Sequence, residues 1–470
     1  MPADRKPTPT ADANPTKRFF VNMLTRDIEL GDAILDLLDN CIDGALRKNE
    51  SSPPNDPQKP YEGYWAKIDL NSKGFSLVDN CGGMSLDLAQ KYAFRFGRPD
   101  DERDDELPTV GVYGIGMKRA LFKIGSDCLI ESHHGSDCFK VHISPSWLLD
   151  DGKWSLPIQQ IQPKNEDDGV IISIKKLHQS ISIAFDKDQG NFGERLTELV
   201  RTHYAYIIKK GFKVIINSVE VVPVEMRTLV DLSESAQRIL PYMYETEHDG
   251  VSIQLVLGMY EGFASDSELE DIERGARSKH TAGWTILCND RVVVCNDTTR
   301  LTGWGDAGVP AYHSQFVVIS GMVTFVSRDA SKLPVTTTKR GIDQNSELYA
   351  SVKDVMREAL KLFTGFTNKW KTQTDERVAI QRAAQSMAIK DAITSVPVED
   401  WTEVRKALKG KKFVPNLPIP RQEKTHERIV FQRPKVEIQQ IRNFLFDPGE
   451  MPKASQVGEA AFDRVLSEAQ

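Results

Sequence analysis

Asp36-Leu-Leu-Asp-Asn40-Cys-Ile-Asp43 sets Asp36, Asn40 and Asp43 at i, i+4 and i+7, so they share one face of a helix whose apolar positions are Ile34, Leu37, Leu38 and Ile42. The run Ala33-Ile-Leu-Asp-Leu-Leu38 has no Gly or Pro and follows Glu29 and Asp32, acidic residues that suit a helix start. A carboxylate one turn ahead of a side-chain amide fits metal-assisted hydrolysis, because Mg²⁺ takes hard oxygen ligands and an attacking water needs a proton acceptor. Asn40 is the candidate metal ligand and Asp36 the candidate base. Taken alone, the same residues also describe a helix with a solvated acidic face.

Downstream, Phe75-Ser-Leu-Val78 reads as a strand that Asp79-Asn-Cys-Gly-Gly83-Met84 breaks with a glycine turn. A carboxylate at a strand end, followed by backbone open to close approach, suits an amine donor on a flat ring. Alone, it is equally an ordinary turn. A third stretch, Gly111-Val-Tyr-Gly114-Ile-Gly116-Met-Lys118, leads into a run of helical apolar spacing that closes at Gly125. Backbone N–H groups of such a loop can face phosphate oxygens, and Lys118 adds a positive charge. The residues before it, Pro99-Asp-Asp-Glu-Arg-Asp-Asp-Glu106, are a hydrophilic loop rather than the strand a Rossmann site needs. The Gly-Lys-Ser/Thr ending of a P-loop is also missing.

In this order the three stretches resemble the GHKL ATPases, which include the DNA gyrase B subunit, the MutL mismatch-repair proteins, the heat-shock-ninety chaperones, sensor histidine kinases and the MORC proteins. The lid run is most similar to the MORC and related prokaryotic branch. The resemblance implies an α+β chain: a Bergerat-type α/β sandwich ATPase domain with ATP held beneath a mobile lid, then a transducer-like βαβ domain and a helical C-terminal region. It implies ATP and Mg²⁺ as ligands and association of two protomers when ATP binds. Asn40 falls on the magnesium-binding asparagine, Asp43 on the acidic residue closing that helix motif, and Asp79 on the adenine-binding aspartate, with Gly83 and Met84 following it. Gly111, Gly114, Gly116 and Lys118 fall in the lid. Lys339, in Leu333-Pro-Val-Thr-Thr-Thr-Lys-Arg-Gly341, is assigned the γ-phosphate contact, with Lys332 and Arg340 as substitutes.

Three positions depart from the family pattern. Asp36 stands where the catalytic branch has glutamate, and a base one methylene shorter reaches about 1.5 Å less, which predicts slow hydrolysis. Cys81 replaces the first glycine of the second motif, tolerable only with φ below zero, so Gly82 is expected to absorb the turn. Val170, in Gly169-Val-Ile-Ile-Ser173, stands where a threonine commonly contacts the site.

With 470 residues, 40% of them hydrophobic, two globular domains plus an appendage are expected. No apolar run approaches the ~20 residues of a membrane span, and the polar, Pro-rich N-terminus has no signal-peptide core. A cytoplasmic protein with no membrane partner is expected. Six cysteines without paired metal spacing predict reduced thiols. The net charge of −7 excludes a uniformly basic nucleic-acid binder, yet ten Lys or Arg face three Glu between Glu403 and Lys435. That patch fits either a phosphate backbone or a solvated, Pro-broken linker.

A helix is expected from Gly193 to Ile208, a hairpin at 213–222, and strands at 252–257, 283–288, 291–294 and 316–320. Helices are expected from Ser346 to Trp370, Asp375 to Ile393 and Glu459 to Ala469. The organisation this implies is a tail at 1–16, an ATP-binding domain at 17–180, a transducer-like domain at 181–345, a helical extension at 346–410, a Pro-rich basic linker at 411–453 and a short helix at 454–470. The functional expectation is an ATP-driven clamp that homodimerises with ATP and Mg²⁺, hydrolyses ATP slowly and acts on DNA. A remodelling chaperone of the heat-shock-ninety type, or a nucleotide-sensing component of a prokaryotic defence system with a protein effector, is the alternative. No nuclease, phosphoacceptor or toprim-like motif is present.

Overall fold

A 22-residue helix, α2 (Leu30–Ser51), carries the first motif, and its Ala33, Ile34, Leu37, Leu38, Cys41 and Ile42 are buried in the first core. The computed structural model describes residues 16–95, 115–163, 168–262, 281–336, 339–370, 383–404, 408–420 and 432–469. Residues 1–420 and 421–470 form two compact units.

In the first unit, α2 shares its core with an eight-stranded sheet of order β5-β4-β3-β6-β2-β1-β7-β8. The strands are β1 (Trp65–Asn71), β2 (Gly74–Asp79), β3 (Cys128–His134), β4 (Asp137–Ile143), β5 (Ile158–Gln160), β6 (Gly169–Ile174), β7 (Lys213–Ile216) and β8 (Val219–Glu220). All pair antiparallel except β1 with β7. In β1 and β2 every second residue is buried, the period of a sheet with one face on a core. Helices α1 (Lys17–Arg26), α3 (Leu86–Leu88), α4 (Gly116–Ile124), α5 (Pro145–Leu149), α6 (Gln179–Phe185), α7 (Phe192–His203) and α8 (Ala205–Lys209) complete this part, with Leu121 of α4 and Leu196 and Val200 of α7 in the same core.

The expected boundary at residue 180 moves, because β7 and β8 belong to this sheet and α7 shares its core. The helix expected from Gly193 to Ile208 is two helices broken at Tyr204, whose backbone leaves helical geometry (φ −110, ψ 11). Its hydroxyl donates to Asp39 on α2, so tertiary bonding overrides a local helical pattern.

A second sheet of order β13-β12-β14-β11-β10-β17-β16 is built from β10 (Tyr242–His248), β11 (Val251–Met259), β12 (Gly283–Cys288), β13 (Arg291–Asp297), β14 (Ile319–Val326), β16 (Thr402–Val404) and β17 (Gly410–Phe413). Its core is closed by α9 (Glu347–Lys369), through Val352, Met356, Leu360 and Phe363. The strand expected at 316–320 begins instead at Ile319, after a 3₁₀ turn at Ser314–Phe316 in which the His313 ring accepts from the Gln315 N–H.

Two expectations for the C-terminal third are corrected. The helical extension contains β15 (Gln385–Ala388), paired with β9 (Arg227–Val230), then α10 (Ile389–Thr394) and β16; residues 375–382 of the expected second helix lie outside the described residues. The linker expected from 411 begins inside β17, where Met243 lies opposite Phe413, and contains helix α11 (Lys435–Leu445). These short segments carry little periodic signal, and neighbouring strand edges supply the hydrogen bonds that order them. In the second unit, α12 (Ala454–Ala469) begins five residues before the helix expected from Glu459. Among the described residues no helix is long and apolar enough to cross a membrane, and all six cysteines are free.

Close packing at the β2–β6 junction makes Gly169 sensitive. A Cβ there would lie 1.9 Å from the Asp79 carbonyl oxygen, and backbone has little room to yield. Gly169→Ala is expected to destabilise the protein by about 2–4 kcal/mol in urea unfolding. Gly365→Ala, in α9 with open space around the new methyl, is expected to raise stability by about 0.5–1 kcal/mol.

Candidate functional site

The four aspartates of α2 are Asp32, Asp36, Asp39 and Asp43, and the fold treats each differently. Asp36 is buried beside the N-terminus of α4, where a Cβ on Gly116 would come within 3.3 Å of the Asp36 Cβ. The absence of a side chain at Gly116 therefore allows helix and carboxylate to meet. From the next turn of α4, Arg119 donates to Asp36 Oδ2 through Nη2 (2.5 Å) and Nε (3.2 Å). Burial pushes the Asp36 carboxyl up, and Lys339 and Arg119 only partly oppose it. Asn40 is exposed, one turn past Asp36, while Asp43 is buried.

Asp39 is completely buried and is met by three donors from distant parts of the chain. Tyr204 donates its hydroxyl to Oδ1 (2.5 Å), Arg291 of β13 places Nη1 3.1 Å from Oδ1, and Lys339 donates to Oδ2 (2.9 Å). The Arg291 guanidinium stacks over the Tyr204 ring at 4.3 Å, a favourable cation–π geometry. Burial alone would raise the Asp39 carboxyl, but Arg291 and Lys339 outweigh it and hold the group below its ordinary value. Next along the chain, Arg340 pairs with Asp32 and donates to His203 Nε2 (3.1 Å). His203 Nδ1–H then donates to the Val292 carbonyl (2.6 Å), and burial pushes this imidazole down to about 4, keeping it neutral. Lys339 and Arg340 thus grip α2 at two points two turns apart. Lys339 adopts φ +56, a left-handed conformation that costs a non-glycine residue of order 1 kcal/mol.

At the end of β2, Asp79 is buried with Oδ1 accepting from the backbone N–H of Cys81 (2.8 Å) and Val170 (3.3 Å), and Oδ2 accepting from the Cys41 thiol (3.4 Å). Val170 supplies backbone where a threonine hydroxyl was in question. Cys81 is not among the residues with positive φ; Gly82 (φ +98) and Gly83 (φ +64) take the turn. A Cβ on Gly83 would lie 2.0 Å from the His133 carbonyl oxygen, so only glycine fits. Met84 N–H donates to Ser132 Oγ (2.7 Å) and ties the turn to β3.

Of the lid residues, Gly111 and Gly114 lie outside the described residues, and Gly116 opens α4. The Lys118 ammonium is buried and donates to the Ala93 (2.8 Å) and Arg95 (2.7 Å) carbonyls. Burial lowers it to about 8. The structure therefore brings Gly116 to Asp36 and Lys339 to Asp39 on successive turns of α2, while Asp79, Gly83 and Met84 lie together at the end of β2. Asp39, Arg119, Tyr204 and Arg291 escaped sequence reasoning. Arg119 follows Lys118 at one turn from Gly116, which is the only local hint among them.

The residues fit a magnesium-bound nucleotide in one respect: Asn40 is exposed one turn past Asp36, the residue that meets the α4 N-terminus, and Mg²⁺ commonly takes few protein ligands and several phosphate oxygens. Asp79 adds a carboxylate anchored by two backbone N–H groups on one oxygen.

Burial pushes the Asp79 carboxyl from its ordinary 3.8 up to about 6. The folded state thus binds this proton more tightly than the unfolded chain, and the associated stability, full below pH 4, is lost as pH rises through 6. Asp79→Asn is therefore expected to stabilise the protein by about 1–3 kcal/mol at pH 8, with the gain vanishing near pH 4 in urea titrations at both pH values.

Comparison with curated proteins finds no match to the chain. Residues 28–184 match the family model described as histidine kinase-, DNA gyrase B-, and HSP90-like ATPase. Over that segment, which contains α2, Asp79, α4 and β6, the chain is similar to GHKL-type ATPases, and this supports an ATP-binding domain.

Proposed function

We propose that the protein is an ATP-binding conformational clamp that hydrolyses ATP slowly, closes as a homodimer with ATP and Mg²⁺, and acts on DNA. The observation that carries the reading is that α2 is met on successive turns by the α4 N-terminus, at Asp36, and by Lys339, at Asp39, since these groups come from the helix motif, the expected lid and the region expected to be a transducer. Asp79 is the reader of the adenine amine, with Gly83 and Met84 beside the ring. Asn40 holds Mg²⁺, and Asp43 closes the helix motif. Bound Mg²⁺ would neutralise phosphate charge and orient the terminal phosphate.

Asp36 accepts a proton from the attacking water. A short carboxylate tied to Arg119 is a base with restricted reach, which accords with slow turnover. Lys339 contacts the terminal phosphate, and a cation that meets only this group binds ATP and ADP states of the protein differently. The lid, with Gly111, Gly114 and Lys118, covers the phosphates.

A protein client instead of DNA is favoured by one observation on the basic patch. Lys412 pairs with Glu358, and Lys411 stands opposite Glu245 and Glu403 in the sheet. Both lysines are thereby partly neutralised, which leaves less charge for a phosphate backbone.

Purified protein is expected to hydrolyse ATP in the presence of Mg²⁺, faster with duplex DNA at low salt than at moderate salt. Asn40→Ala is expected to abolish Mg²⁺-dependent binding. Asp36→Asn is expected to retain binding and lose at least about 100-fold in turnover. Light scattering with a non-hydrolysable ATP analogue reads the dimer. DNA-independent turnover with a dimer would favour the protein client, and no nucleotide binding would overturn the reading altogether.

A further inference from the structure

We propose that Asp39 is a positioning residue that holds Lys339 for the terminal phosphate of the nucleotide, and through which the second sheet registers whether that phosphate is present. The inference rests on the ATP reading above and adds a residue and a coupling to it.

Four observations carry it. Asp39 lies between Asp36 and Asn40, yet it is sealed from solvent, so it cannot itself meet a phosphate or a metal. Both its oxygens are occupied: Oδ1 by Tyr204 and Arg291, Oδ2 by Lys339. An ammonium has three donors, and Asp39 takes one of them. Finally, Lys339 stands in a left-handed conformation, its backbone N–H bonded to the Thr336 carbonyl at 2.8 Å. Such a conformation persists where surrounding contacts over-determine it.

A free lysine is a flexible chain that loses rotamer freedom when ordered. With Asp39 fixing one donor, the ammonium is ordered before any ligand arrives, one turn along α2 from Asp36, whose carboxyl feels its charge. Arg291 sits on β13 and shares the same carboxylate, with Nε and Nη1 lacking a properly aligned hydrogen-bond acceptor. When Lys339 shifts toward a terminal phosphate, the charge balance at Asp39 changes, and Arg291 is the group on the second sheet that feels it.

The test compares AMP-PNP and ADP binding, each with Mg²⁺, by titration calorimetry on the full chain. Wild type is expected to bind AMP-PNP more tightly than ADP. Asp39→Asn is expected to lose about tenfold in AMP-PNP affinity with ADP affinity within about twofold, as for a charge-assisted hydrogen bond made only to the last phosphate. Lys339→Met is expected to show the same selective loss, and the double variant should be no worse than Lys339→Met alone. Additive losses, or equal weakening of both nucleotides, would overturn the proposal and make Asp39 merely structural. Wild-type discrimination untouched by either substitution would overturn it and remove the phosphate contact of Lys339, while ATP binding itself stands; wild type binding neither nucleotide would remove both. Should Asp39→Asn not fold, Tyr204→Phe, which removes only the hydroxyl fixing Asp39, is expected to lose AMP-PNP affinity a few-fold, and an equal loss for ADP would overturn the proposal.

Discussion

A carboxylate with no access to water must have its charge met inside the protein, and Asp39 places that demand at the centre of the longest helix of the first core. It is satisfied from three directions: Tyr204 at the break between α7 and α8, Arg291 at the start of β13, and Lys339 from the loop preceding α9. This arrangement ties β13 and the loop before α9 to α2, alongside the Lys210–Asp290 pair and the His203 bond to Val292. Replacing a buried ion pair with apolar groups is often neutral for stability, whereas removing one partner costs about 3–5 kcal/mol. The network is therefore better understood as fixing geometry than as adding net stability.

That geometry has a local consequence. Lys339 and Arg340 are adjacent in sequence, yet they reach Asp39 and Asp32, two turns apart on α2. Adjacent residues in ordinary extended backbone point to opposite sides. The left-handed backbone of Lys339 lets neighbouring cations engage one helix, and the strain is held by two ion pairs. His203, kept neutral by burial, accepts from Arg340 without adding a second positive charge.

The lid side of the site follows a different rule, that of close approach. Gly116 allows α4 to start against Asp36, and Gly83 and Gly169 allow the turn after Asp79 to nest under the carbonyls of β3 and β2. Lys118 and Arg119, adjacent on α4, are directed oppositely: one to the Ala93 and Arg95 carbonyls, the other to Asp36. Both cations are engaged within the protein, Lys118 by two backbone carbonyls and Arg119 by a carboxylate. The lowered proton affinity of its buried amine reflects how completely it is withdrawn from water.

The amino-acid sequence by itself determined the elements whose signal is local. The periodic apolar positions of α2, the strand ending at Asp79, the glycine turn after it and the helix opening at Gly116 follow from residues within a few positions of one another. The resemblance over these motifs agrees with the family model at 28–184. Tertiary structure alone decided where the first sheet ends, that residues 385–388 and 410–413 are strands, and that the helix after Gly193 breaks at Tyr204. It also decided that Asp39 meets Arg291 of the second sheet and that Arg119 faces Asp36. The reason is distance along the chain: Lys339 meets Asp39 across 300 residues, and no periodicity or spacing encodes a bond that only the packed core brings within reach.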